Sequence, residues 1–275
     1  MTTLFDATLA VARELGVARQ GTATGGSTTT IIDTGRNEVD DAFNGGTAWI
    51  VSADSAAPED EYATISDWVN STGTATISAV TAAVASGDVY VLTTARYPLD
   101  VLISAINSEL IKYWVPRWDK TSLDIVSGQS EYDLPAGINK YNLVNVYETT
   151  STDSDQNRPV HLNFRVHTAV AGSQHKLEIM SRNVVAGNDI WLEYLSHPDP
   201  ISAVTDTIDE AIRLPNLVVH SAAQALLISM QTYGSANDMD KDLRKELMNK
   251  ADKLDLMYPQ RKPVRRGRVN EAAGG

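Results

Sequence analysis

Five cations fall within eight residues near the C-terminus, in Arg261-Lys-Pro-Val-Arg-Arg-Gly-Arg268. Arg261, Lys262, Arg265, Arg266 and Arg268 can bind carboxylates or phosphates, and arginine does so through a two-pronged fork. Residues 261–275 hold five basic residues and one acid, whereas residues 1–260 hold 18 basic and 34 acidic residues, a net of −16. So acidic a body repels phosphate and is a poor general binder of nucleic acid. Three readings of the arm stand: a solvated tail, a contact to nucleic acid, or docking into an acidic groove on a protein partner with ordering on contact. The arm's length, its prolines and the charge of the body favour the last.

Other candidate chemistry is weaker. Gly21-Thr-Ala-Thr-Gly-Gly26-Ser27-Thr28 has the glycine spacing of a phosphate loop. Ser27 stands where the lysine belongs, and a β-prone run follows instead of a helix. Asp238-x-Asp240-x-Asp242 starts like a calcium loop, but Leu243 replaces the turn glycine and Asn249 the bidentate glutamate. Acids in the first turn of a helix account for it better. His161, His167, His175, His197 and His220 form no pair with zinc-ligand spacing, so no metal is expected. His220 reads as a hydrogen-bonded residue near an apolar helix face. There is no G-x-S-x-G elbow. A glycosidase-type carboxylate pair stays open in principle, although the acids fall mostly in turns. Trp114 and Trp118 flank Pro116 and read as a packing corner at a helix end. No catalytic residue and no cofactor is assigned, and the chain is not read as an enzyme.

With 275 residues, 43% hydrophobic and 21% charged, the chain can bury a substantial core. No apolar run approaches the ~20 residues that span a bilayer, and Met1-Thr-Thr-Leu-Phe-Asp6 lacks the basic start of a secretory signal. No membrane association is expected. The absence of cysteine excludes disulfides and thiolate sites and suits synthesis in a reducing cytoplasm. The overall net charge is −12, and residues 21–95 alone carry ten acids against Arg36.

The elements alternate in type. Leu4, Phe5, Leu9, Ala12 and Leu15 make a helical stripe within residues 1–20, with Thr3 and Asp6 as capping residues and Gly16 after the end. Residues 21–95 contain fourteen threonines and frequent glycine. They predict a small β-sandwich or barrel with strands at 28–34, 47–52, 63–69, 74–79 and 88–94. A bundle helix follows over 98–114, within segment 96–118, with Pro98 at its first position and Pro116 ending it. Residues 119–200 predict an inserted β region, with strands at 122–126, 140–148, 160–166, 176–180 and 189–195. Segment 201–258 predicts a helical hairpin. Its first helix, 215–234, carries Val218, Val219, Ala222, Ala223, Leu226, Leu227 and Met230. Its second, 238–258, carries Leu243, Leu247, Ala251, Leu254 and Met257. Gly234 and Pro259 close them, and residues 259–275 form the basic arm. The fold class is therefore α+β: a helical bundle, N-terminal helix included, carrying the 21–95 β domain and the second β region at 121–200.

Two stretches carry a family resemblance. One is Arg96-Tyr-Pro-Leu-Asp-Val-Leu-Ile-Ser-Ala-Ile-Asn-Ser-Glu-Leu110. The other combines Gln129-Ser-Glu-Tyr-Asp-Leu-Pro135 with Leu214-Pro-Asn-Leu-Val-Val-His-Ser-Ala-Ala223, followed by a helix and a basic, proline-containing tail. This layout resembles the neck proteins of tailed bacteriophages, the head-to-tail adaptors that dock on the portal ring. The Gly21-Thr-Ala-Thr, Asn44-Gly-Gly-Thr-Ala-Trp-Ile50 and Ser71-Thr-Gly-Thr74 runs also resemble stretches of phage virion proteins. The resemblance implies a structural protein of the virion neck, made in the host cytoplasm. It implies a homo-oligomeric ring, commonly of twelve copies, between the portal protein and a downstream tail or neck protein. Genomic DNA would pass through that ring without sequence-specific binding. The five arm cations would then be the portal contacts. Simple adaptors are mainly helical, so the large β regions leave open an alternative: an accessory tail or capsid protein whose β domain binds a virion protein or host glycan. A third class is a carboxylate-based hydrolase.

Overall fold

A computed structural model describes residues 2–54, 58–149, 159–168, 174–203, 206–208, 215–232 and 238–257. Among the described residues the protein is mixed α and β, with four α-helices and antiparallel sheets, and it divides into two compact units. Unit 1 contains residues 1–113 and 198–259, and unit 2 contains residues 114–197.

Unit 1 opens with helix α1, Leu4–Glu14. The Thr3 hydroxyl accepts from the Asp6 amide at 3.1 Å, and the Asp6 carboxylate accepts from the Thr3 amide at 3.3 Å, forming the reciprocal cap its spacing predicts. A seven-stranded sheet follows. In chain order its strands are β1 (Arg19–Thr22), β2 (Gly25–Ser27), β3 (Thr30–Ile32), β4 (Thr47–Ser52), β5 (Tyr62–Val69), β6 (Thr74–Ile77) and β7 (Val89–Leu92). In space the order is β1-β7-β4-β5-β6-β3-β2. The two edge strands are thus consecutive pieces of one stretch, and the sheet is curled like a half-barrel. Two features allow the curl. Register shifts within β5 between Ile65 and Asp67, a bulge that bends the strand. The chain also turns at Ala23 and Thr24, whose amides donate to opposite neighbours, Asp88 at 2.8 Å and Ile32 at 2.7 Å. Inside the curl lie Ile31, Phe43, Ile50, Ile65, Trp68, Ala75, Tyr90 and Leu92. Phe43 meets Trp68 edge-on at 5.1 Å. Of the predicted strand at 28–34 only β3 is strand, because Thr28 and Thr29 form the tight turn of a hairpin with β2, a strand the sequence did not predict.

Helix α2 spans Leu99–Leu110, α3 Pro215–Thr232 and α4 Asp238–Met257. Helix α3 packs against α1, α2 and α4. Val218, Val219, Ala222, Ala223, Leu226 and Leu227 are buried on α3, and Leu247 on α4. The side chains of Met230, Ala251, Leu254 and Met257, and the residues Gly234 and Pro259, lie outside the described set. Among the described residues, the expected separate helical bundle that includes the N-terminal helix is not formed. Trp49 and its register partner Val91 are fully buried on the convex side of the sheet. There the Trp49 indole N–H donates to Thr8 of α1 at 3.2 Å, fastening α1 to the sheet. Helical periodicity marks the face a helix buries, but it cannot tell whether a helix or a sheet covers it.

The returning chain stitches α1 to α2. The Leu4 amide donates to Asp206 O at 2.9 Å, and the Ile208 amide to Thr2 O at 2.9 Å. The Asn107 carboxamide of α2 grips Ile201 at both its amide and its carbonyl, each at 2.9 Å. Ile201 and Ile208 are buried beside these clamps.

The helix expected over 98–114 is shorter than its apolar pattern. Pro98 is the residue before the first turn, and the helix stops at Leu110. Pro116 lies inside a strand. Its ring disfavours helix in the preceding turn, and the β-prone Tyr113, Trp114 and Val115 follow that preference.

Unit 2 is a sandwich of two antiparallel sheets. Strands β8 (Val115–Asp124), β10 (Leu143–Thr149), β11 (Val160–His161) and β14 (Asp189–Ser196) form a sheet ordered β11-β10-β14-β8. Strands β9 (Glu131–Asp133), β12 (Phe164–His167) and β13 (Lys176–Ile179) form the other, ordered β12-β13-β9. Strand β8 is an edge strand, which is why Pro116 is tolerated there. The strand predicted at 160–166 splits, because the chain changes sheets at Leu162 and Asn163. The core between the sheets is Ile125, Tyr132, Leu134, Val146, Leu162, Leu177, Ile179, Ile190 and Leu192.

Candidate functional site

The arm cations Arg261, Lys262, Arg265, Arg266 and Arg268 lie outside the described residues. The glycine-rich run at 21–28 ends β1 and builds β2, whose residues pair with β3. Asp238 begins α4, in keeping with acids at a helix start. The histidines do not converge. His161 sits 3.2 Å from Asn145 Oδ1, His167 2.9 Å from Glu178 Oε2, and His175 3.4 Å from the His167 carbonyl. His220 on α3 is mostly buried and faces Glu14 at 3.5 Å, an electrostatic approach longer than a good hydrogen bond. Among the described residues, no group of three or more metal-ligating side chains is assembled.

Two buried carboxylates hold loops. Asp88 accepts the amides of Asp54 at 3.1 Å and Ala85 at 2.8 Å. Glu148 accepts the Val185 amide at 2.7 Å and the Asn188 carboxamide at 2.8 Å. Glu109, also buried, pairs with Lys112 at 2.6 Å.

Arg36, the one cation of residues 21–95, sits at a charged knot on the rim of the curled sheet. Its Nε donates to Tyr90 Oη at 2.6 Å, Nη1 meets Glu38 at 2.7 Å, and Nη2 donates to Arg19 O at 2.8 Å. Tyr90 Oη in turn donates to Asp33 at 2.6 Å. The guanidinium lies over the rings of Phe43 and Tyr90. Burial, reinforced by the hydrogen bond to Asp33, pushes the Tyr90 phenol well above its ordinary range. Donating to Asp33 and accepting from Arg36, the hydroxyl serves as a fastener. The knot ties β1 and β7 to the loop before β4.

Unit 2 presents the second cluster, on the outer face of its four-stranded sheet. Residues 146, 190 and 192 point into the core, so their neighbours 145, 147, 191 and 193 point outward. Trp118 lies across from Glu193, and Tyr147 is in register with both Trp191 and His161. Ring centroids are 5.5 Å apart for Trp118 and Tyr147, 6.2 Å for Trp118 and Trp191, and 5.4 Å for Tyr147 and His161. Lys120 covers one face of Trp191 at 4.3 Å. Glu193 Oε2 accepts from Asn145 Nδ2 at 2.6 Å and Tyr147 Oη at 3.3 Å. Burial and the Glu193 charge push the Tyr147 phenol upward. Trp118 remains 43% exposed. The tryptophan pair read as a packing corner is thus divided. Trp114 packs on His197 at 4.1 Å, while Trp118 joins the outer face. The alignment of these residues across four strands comes from register.

No protein-family model matches the chain, and no curated protein sequence matches it.

Proposed function

We propose that this chain is a structural virion protein, a head-to-tail adaptor whose copies form a ring between the portal and the tail of a bacteriophage. One observation carries the reading. Two of the segments that carry the resemblance, 96–110 and 214–223, lie about a hundred residues apart in sequence, and the helices they contain, α2 and α3, pack together. In this reading α2, α3 and α4 are the bundle of the adaptor, and the curled sheet and the sandwich are additions to it. The ring would surround the DNA channel. A body of net charge −16 suits a channel wall, because contact with it releases no counterions and DNA slides past. The basic arm extends to the portal, where Arg261, Lys262, Arg265, Arg266 and Arg268 pair with carboxylates. Each such bond contributes about 1.5–3 kcal/mol, less the entropy of ordering the arm. Repetition around a ring turns a marginal contact into a firm one.

The test is particle assembly with protein ending at residue 260. Isolated truncated protein keeps the wild-type unfolding transition, heads and tails fail to join, and joining by the full chain weakens as salt is raised. Normal joining by the truncated protein removes the docking role of the arm. Images of intact particles in which the protein is spread over shell or tail, not at the neck, overturn the adaptor reading itself.

A further inference from the structure

We infer that the outer face of the β11-β10-β14-β8 sheet binds a neutral glycan, with Trp118 as the stacking platform and Glu193, Asn145 and His161 as the hydroxyl-binding rim. The inference does not rest on the adaptor reading and survives its failure.

The chemistry of the face selects this ligand. A pyranose ring has an apolar side of C–H groups and a polar edge of hydroxyls. Its C–H side fits the negative face of an aromatic ring. Its hydroxyls, each donor and acceptor, need fixed partners of both kinds. Trp118 is an indole 43% exposed on the sheet, held by Tyr147 and Trp191 beside it. Next to it in register stands Glu193. One carboxylate oxygen of Glu193 is engaged by Asn145 and Tyr147, and no hydrogen bond from a described residue reaches the other. That second oxygen can accept from a sugar hydroxyl. Asn145 fixes the rim on its other side, with its carbonyl oxygen 3.2 Å from His161 Nε2. The carboxylate, the amide and the imidazole are therefore oriented before any ligand arrives, which lowers the entropic cost of binding.

Two other occupants fit less well. A protein partner would have to bury the Glu193 charge at the centre of the face, and cores of protein interfaces are depleted of such charges. Single-stranded nucleic acid also stacks on aromatic rings, but it needs a positive track for its phosphates. Residues 114–197 carry seven basic and ten acidic residues, and Lys120, the cation stacked on this face, is already engaged with Trp191.

The experiment uses the full chain. It is titrated with neutral oligosaccharides of glucose, galactose, mannose, N-acetylglucosamine and N-acetylgalactosamine, and in parallel with an oligo-dT strand. Tryptophan fluorescence and calorimetry read the binding. At least one oligosaccharide binds, and Trp118→Ala weakens it about tenfold or more, the loss of a stacked ring. Because Trp118→Ala also removes packing, Glu193→Gln serves as a second variant of nearly unchanged shape, with folding of both checked by thermal unfolding. It too weakens binding. The inference is overturned if no oligosaccharide binds, if both variants bind like wild type, or if oligo-dT binds in preference. It is also overturned if Trp118→Ala abolishes self-association while no sugar binds, which would make the face a subunit contact.

Discussion

Replacing Tyr90 by Phe deletes one oxygen from the Arg36 knot and leaves the ring in the core. The lost hydroxyl donates to Asp33 and accepts from Arg36, both at 2.6 Å. Each is a hydrogen bond to a charged group and contributes about 1.5–3 kcal/mol. The loss is partly offset. Asp33 and Arg36 already lie 3.7 Å apart and can close on each other, and Arg36 keeps Glu38 and the Arg19 carbonyl. The side chains of Arg36 and Asp33 are only 9% and 13% exposed, so water replaces the hydroxyl poorly. The expected net cost is about 2–3 kcal/mol. In urea this lowers the midpoint of the unit 1 transition by about 1 M. Tyr147→Phe is the control. Its hydroxyl makes a longer bond of 3.3 Å to Glu193 near the surface, and the cost there should stay below about 1 kcal/mol. The pH dependence has a definite sign. Folding raises the Tyr90 phenol above its unfolded value of about 10, so its contribution is complete below that pH and declines as pH rises beyond it. The gap between wild type and Tyr90→Phe should therefore narrow in strong alkali. Equal midpoints for the wild type and Tyr90→Phe at neutral pH, or equal costs for the two tyrosine variants, would refute the knot as a source of stability.

Other perturbations test the remaining structure. Leu226→Asp puts a carboxylate into the apolar face of α3 beside Ala222, Ala223 and Leu227, and calorimetry should show a loss of several kcal/mol; a melting point within a degree or two of wild type would mean the face is not core. Gly46→Ala would drive a methyl group into the Thr93 carbonyl and should prevent or severely weaken folding. At Gly16, with φ +68° and open space around it, alanine meets only backbone strain and should cost about 1 kcal/mol by urea unfolding. Asp60, an exposed residue, sits at φ 60° with its carboxyl pushed up by partial desolvation and by the charges of Glu59 and Asp6. Asparagine tolerates that backbone, so Asp60→Asn should raise the melting temperature slightly at pH 7. The gain should shrink as pH falls through the carboxylate range and be gone below about pH 3, where the wild-type acid is protonated in both states.

Local chemistry made much of this protein legible in one dimension. Thr3 and Asp6 announced the cap of α1, and the wide apolar face of Val218 to Leu227 announced a buried helix. The run Thr47–Ser52 read as a strand and is one. These features depend on contacts within a few residues, so their spacing is the signal. The sequence failed where partners are remote. Pro116 signals a helix stop and an edge strand equally well, and only the place of β8 beside β14 decides between them. The split of 160–166 between two sheets leaves no mark in its composition. Trp49 looks like any apolar strand residue, yet its indole fastens α1 to the curled sheet. Arg36 and Tyr90 are 54 positions apart, and no periodicity pairs them. The alignment of Trp118, Glu193, Asn145 and His161 on one face is likewise a product of strand register. A shift of one residue would turn each side chain to the opposite side. Charge and residue type were fixed by the chain itself, while the burial and neighbours that give those residues a use were set by the tertiary fold.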